Sequence, residues 1–211
     1  MNSFVLETDC KGRLTALVVN VALVIALGCS TSTNVTIPAI DPVGAAARAM
    51  ELWDVDGDEQ LDLEELTAAP GLQAAAPQVD LNGDGSLDAG EIAARLKTYV
   101  DARLGAVSMT CTVTLNGNPL PGAAIKLVPE KFLADVLHEA RGRTSLQGVA
   151  SLYMENGRRI PGVQLGMYRV EIRKSGGEEE TLAARYNDQT ELGYEVSHDP
   201  DAGNARFDLT R

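Results

Sequence analysis

Asp80-Leu81-Asn82-Gly83-Asp84-Gly85-Ser86-Leu87-Asp88-Ala89-Gly90-Glu91 is the stretch that decides how this chain is read. Oxygen-bearing side chains stand at its positions 1, 3 and 5 (Asp80, Asn82, Asp84) and again at 9 and 12 (Asp88, Glu91). Gly85 occupies position 6, where a chain wrapping a single point must turn sharply. Ser86 at position 7 offers its backbone carbonyl, and apolar Leu87 follows at position 8. A hard cation such as Ca2+ takes roughly six to eight oxygens at about 2.3–2.6 Å. This spacing supplies them, with Glu91 closing the shell through both carboxylate oxygens.

A second copy starts 26 residues upstream: Asp54-Val55-Asp56-Gly57-Asp58-Glu59-Gln60-Leu61-Asp62-Leu63-Glu64-Glu65. Asp54, Asp56, Asp58, Leu61, Asp62 and Glu65 fit positions 1, 3, 5, 8, 9 and 12, with Gln60 at the carbonyl position 7. Position 6 is Glu59, and a residue with a Cβ loses roughly 1 kcal/mol in a left-handed backbone conformation. The first loop is therefore expected to bind calcium more weakly, or with a distorted turn. Both loops resemble the EF-hand family, a resemblance covering about 60 residues. It implies a pair of helix–loop–helix hands over residues 42–104.

The surrounding residues suit such a pair. Asp41-Pro42 is a helix start, with Asp able to cap and Pro suited to the first turn. Ala46, Ala49, Met50 and Trp53 then recur at helical spacing. Leu66 and Ala69 continue a helix that Pro70-Gly71 is expected to stop, leaving a short Leu72–Ala76 segment before the second loop. The best-formed helix runs from Ala89 to about Leu104, with Ile92, Leu96, Tyr99 and Leu104 as its apolar stripe. Helices this short predict a compressed unit that does not open a Met-lined groove.

Charge supports the same region. Of the formal net charge of −12, residues 41–101 carry −11, from 14 acidic and 3 basic side chains. Residues 102–211 carry −1, from 14 acidic and 13 basic side chains. Clustered carboxylates repel until a cation neutralises them. An acidic surface also argues against nucleic acid as a partner.

The N-terminus reads as an export segment. Lys11 and Arg13 precede a mostly apolar run, Leu14 to Leu27, and Gly28-Cys29-Ser30 follows. Ala26-Leu27-Gly28-Cys29 resembles a bacterial lipobox, which implies cleavage after residue 28 and lipid on Cys29. Acyl chains there would tether the protein to a membrane, each buried CH2 contributing about 0.8 kcal/mol. An uncleaved anchor and plain secretion are the alternatives. Residues 29–41, rich in Ser and Thr, read as a flexible tether.

From Val107 the texture changes to short alternating runs: Val107–Leu115, Ala123–Val128, Val149–Met154, Met167–Arg173, Leu192–Ser197 and Ala205–Leu209. Asn116-Gly117 is a hairpin turn signal. The expected class is α+β in two domains, the helical pair followed by an antiparallel β-sandwich of about seven strands over 107–211. The stretches Leu115–Glu130 and Gly166-Met-Tyr-Arg-Val-Glu-Ile172 resemble carboxypeptidase-regulatory-like domains. Ala184-Arg-Tyr-Asn187 and Ala205-Arg-Phe-Asp-Leu209 are similar to segments of planctomycete-type bacterial lipoproteins that carry this domain. That resemblance implies a transthyretin-like sandwich without activity of its own. Lys131–Ala140 departs from it, and a short helix is expected there.

Enzyme signatures do not emerge. His138 and His198 lack zinc spacing, and there is no nucleophile elbow or phosphate-cradling glycine loop. Cys111 sits in an alternating run, where a core role is expected rather than a nucleophile. The leading expectation is a non-enzymatic calcium-binding lipoprotein of the cell envelope. Calcium would be structural in it, with an envelope protein or glycan as partner. The alternative is an envelope carrier or adhesion subunit whose sandwich binds the partner, with vestigial loops.

Overall fold

The chain enters its first helix with Asp41 ahead of Pro42, and α1 spans Pro42–Trp53. The computed structural model describes residues 35–155, 158–176, 179–199 and 203–211. The expected signal segment, Cys29 and the start of the tether lie outside them. The described end of the tether is held in place: Ile40 is buried, and Val35 packs against the core. Asp41 occupies the N-cap position, but its side chain caps nothing; its carbonyl accepts from Ala45 N at 2.9 Å. Ala46, Ala49 and Trp53 form the buried face of α1, as the periodicity predicts.

Strand β1 is Gln60–Leu61 and α2 is a single turn, Leu63–Leu66. Pro70 does not end this helix. It begins the next one, α3, Pro70–Val79, because its missing N–H is needed least in a first turn. Pro77 lies inside α3 near its end, so the segment before the second loop is a full helix rather than a short Leu72–Ala76 piece. Then come β2, Leu87–Asp88, and α4, Ala89–Ala102. Arg103, with φ of 51°, ends α4 in a left-handed cap, leaving Leu104 outside the helix and exposed. The buried stripe of α4 is Ile92, Leu96 and Tyr99.

The strands follow as β3, Thr110–Leu115; β4, Asn118–Pro119; β5, Ala124–Pro129; β6, Ala140–Arg143; β7, Val149–Ser151; and β8, Tyr153–Glu155. After them come β9, Arg159–Pro161; β10, Gly166–Arg173; β11, Ser175–Gly176; β12, Glu179–Glu180; β13, Gly193–Val196; and β14, Asn204–Leu209. Asn116 and Gly117 both take positive φ, 51° and 78°, as a tight β3–β4 hairpin requires. One sheet has the order β13-β10-β5-β6-β8-β9 and the other β14-β3-β4, with β7 on β3. The Val149–Met154 run splits at Leu152, so that β7 joins one sheet and β8 the other.

The fold is mixed α+β, and its sheets are not wholly antiparallel as expected. β14 pairs parallel with β3 from Asn204↔Thr110 to Leu209↔Leu115. The chain returns from β13 to the start of β3, where Thr110 N meets Gly203 O at 2.8 Å, so β14 then runs alongside β3 in the same direction. The inner faces of both sheets share a core, with Tyr194 edge-on to Phe207 at 6.2 Å.

The helices join that same core, within one compact unit spanning Thr33–Arg211. The change of texture at residues 104–107 falls inside it. Lys131–Val136 is a series of turns, not the expected helix. It carries buried Phe132 and Leu133 to the helices, and Phe132 meets Trp53 edge-on at 5.7 Å. Gly71 lies against the backbone of Tyr168, where a Cβ would stand 2.7 Å from its nitrogen, and a Cβ on Gly193 would overlap the Pro70 carbonyl.

Candidate metal centre

A left-handed backbone marks both loops at the same two positions. Gly57 and Gly83, at position 4, have φ of 77° and 76°. At position 6, Gly85 has φ of 90° and Glu59 has 67°. Glu59 therefore adopts the left-handed conformation the register demands, at a cost of roughly 1 kcal/mol.

The hydrogen bonds repeat as well. Asp54 Oδ1 accepts from Gly57 N and Asp80 Oδ1 from Gly83 N, each at 2.7 Å. Their second oxygens accept from Glu59 N at 3.2 Å and Gly85 N at 3.1 Å. Asp56 and Asn82 accept from Asp58 N and Asp84 N. Asp58 and Asp84 accept from Gln60 N and Ser86 N, each at 2.9 Å. Each of these side chains thus accepts from a backbone N–H of its own loop.

Position 12 closes each loop. Glu65 accepts from Val55 N at 2.6 Å and Asp62 N at 3.1 Å. Glu91 accepts from Leu81 N at 2.9 Å and Asp88 N at 3.1 Å. Glu91 is buried while Glu65 is half-exposed, so the second loop is the more enclosed. Asp62 and Asp88 do something the metal pattern alone does not reveal. Each is an N-cap, accepting from the N–H of Glu65 or Glu91 in a reciprocal capping box. The Asp-x-x-Glu spacing was the available signal.

The two loops are joined back to back. β1 and β2 pair Leu61 with Leu87 and Gln60 with Asp88, so both position-8 leucines are buried against one another's strand. In the first loop Asp54, Asp56 and Asp58 each bring a carboxylate oxygen within 4.8 Å of the others. Oxygens about 2.3–2.6 Å from one cation lie no more than about 5 Å apart, so this set fits a hard divalent ion. In the second loop Asn82 replaces the middle carboxylate, and its amide nitrogen donates to Asp84 Oδ2 at 2.9 Å.

Neither a protein-family model, nor a curated protein, nor a solved structure matches this chain. Among the described residues no helix is long and apolar enough to cross a membrane.

Cys111 is buried on β3, and burial pushes its thiol up to about 12. The outer sheet face has an open groove with Lys126, Arg141 and Arg173 on its lining. These cations are already engaged by Glu139, Asp188 and neighbouring carboxylates.

Glu130 is a buried carboxylate at the start of α3, accepting from Gly71 N at 2.7 Å. Burial raises its pKa, opposed by the Gly71 N–H and by the charge of Arg169. A raised folded pKa means the native state holds this proton more firmly than the unfolded state does. Its effect on stability is therefore favourable at low pH and declines as pH rises through the folded value. Glu130→Gln keeps an acceptor for Gly71 N without the charge. We expect it to flatten the acid-to-neutral stability profile, read by urea unfolding at several pH values.

Proposed function

We propose that this protein binds calcium through two EF-hand loops and that the ion is structural, in a non-enzymatic lipoprotein of the cell envelope. The observation carrying this reading is one hydrogen-bond network repeated in two twelve-residue loops and cross-linked through Leu61 and Leu87. Asp54, Asp56, Asp58, Gln60, Asp62 and Glu65 would hold one ion, and Asp80, Asn82, Asp84, Ser86, Asp88 and Glu91 the other. When bound, the ion supplies charge neutralisation to loops that otherwise gather carboxylates against their own repulsion.

The remaining parts rest on the sequence. A lipid on Cys29 would hold the protein at a membrane facing periplasm or exterior, with plain secretion as the alternative. Calcium there is plentiful, so sites of roughly 10−5–10−3 M suffice. The carboxypeptidase-regulatory-like sandwich would be an interaction or spacer module for an envelope protein or glycan. A carrier or adhesion subunit with vestigial loops is the second reading, with the cationic outer-face groove as its partner surface.

Thermal unfolding in EDTA against excess calcium separates the two. At calcium a hundredfold above Kd, one site adds about 2.7 kcal/mol. One kcal/mol moves the midpoint of a chain this size by about 2–4 °C. Calcium should raise Tm by about 5–10 °C per site at that excess. Equal midpoints in EDTA and calcium contradict the structural role.

A further inference from the structure

We propose that occupancy of the second loop is read by the edge strand β13 through both flanking helices, with Arg95 as the positioning residue; this rests on the calcium reading above. The second loop hangs between α3, which leads into Asp80, and α4, which leaves from Asp88. Both helices land on the same strand. At its start α3 presses the Pro70 carbonyl onto Gly193, where no Cβ fits. From α4, Arg95 Nε donates to Glu195 Oε1 at 2.5 Å and Nη2 to Asp199 Oδ2 at 2.8 Å. Tyr99, one turn further along α4, donates its hydroxyl to the same Glu195 oxygen.

Arg95 lies one helical turn beyond Glu91, so it sits on the same side of α4 as the residue that closes the loop. Asp88 and Glu91 are also the N-cap and third residue of α4, so whatever orients those carboxylates orients the first turn of the helix. The Arg95 and Glu195 side chains are only 12% and 9% exposed. A buried pair resists separation because each partner alone would be an uncompensated charge. Among the described residues the first loop has no counterpart of the Arg95–Glu195 pair, although its exit turn α2 leads into the Pro70 end of α3. Its residue one turn beyond Glu65 is Ala69, and α1 meets the sheet side through Trp53 and Phe132 instead. The Arg95 link is therefore a property of the second loop, and the coupling it carries is reciprocal: if calcium orders β13, releasing β13 weakens calcium.

Hydrogen–deuterium exchange of the Gly193–Val196 amides, with and without calcium, tests this alongside calorimetric titration of the same samples. In the wild type calcium should slow those amides by about tenfold or more. Arg95→Leu should remove the slowing and weaken binding at the second loop by about tenfold, leaving the first unchanged. Arg95→Lys should restore part of both. Should Arg95→Leu fail to fold, Glu195→Gln carries the same comparison. Calcium uptake by the wild type with no change at β13, or by the variants with undiminished slowing, overturns the coupling. An absence of calcium heat in the wild type is a different result: it removes the calcium reading itself, and the coupling with it.

Discussion

Glu91→Gln is expected to weaken calcium binding at the second loop by about a hundredfold, since affinity in such loops follows ligand charge and rigidity over decades. Glu91 is the residue best placed to show this. It is buried, and its two oxygens accept from Leu81 N and Asn82 N on one side and from Asp88 N on the other. The amide keeps one acceptor but sets an NH2 against one of those backbone donors. The metal-free protein should lose about 1 kcal/mol for that unsatisfied group. The first loop keeps its own Glu65 and should titrate as before. Calorimetry of the variant in calcium, with urea unfolding in EDTA, measures the two effects separately.

Leu87→Ala should act on both loops at once. Leu87 is fully buried and pairs with Leu61 across β1 and β2, the seam that joins the loops. Truncating a buried leucine costs about 2–5 kcal/mol, the spread reflecting how far neighbours collapse into the space. The same space loosens the start of α4 and the end of the first loop. Affinity should therefore fall at both sites, in contrast to the one-sided effect of Glu91→Gln. Loss at one site only would mean that the loops are independent and the seam is mere packing. Urea unfolding in EDTA and a calcium titration of the variant check both parts.

Local rules made the loops legible. The register from Asp54 to Glu65 and from Asp80 to Glu91 is written in spacing alone, and the left-handed turn at Glu59 follows from it. Alternation likewise located six strand regions, because a half-buried strand repeats every two residues. β6 was hidden by its composition, Ala-Arg-Gly-Arg, in which Gly142 sits inward against Leu152 where a Cβ would clash. The split of Val149–Met154 between sheets and the parallel course of β14 depend on where the chain goes next, which no short window records.

The union of helices and sheet was equally invisible. In sequence Gly71 reads as a helix stop, Gly193 as part of a strand, Glu130 as the end of a hairpin stretch and Phe132 as part of an expected short helix. Each acquires its role only from a partner far away in the chain, as Glu130 does from Gly71 and Phe132 from Trp53. Arg95 and Glu195 are 100 residues apart and carry no local motif.

The most direct measurement is isothermal calorimetry of calcium into the metal-stripped protein, with Trp53 fluorescence followed in parallel. Trp53 is buried edge-on to Phe132 and immediately precedes Asp54, so it reports on the first loop. Two binding events are predicted, the weaker at the loop with Glu59, accompanied by a change in Trp53 emission. An absence of heat and of fluorescence change up to millimolar calcium would contradict the account.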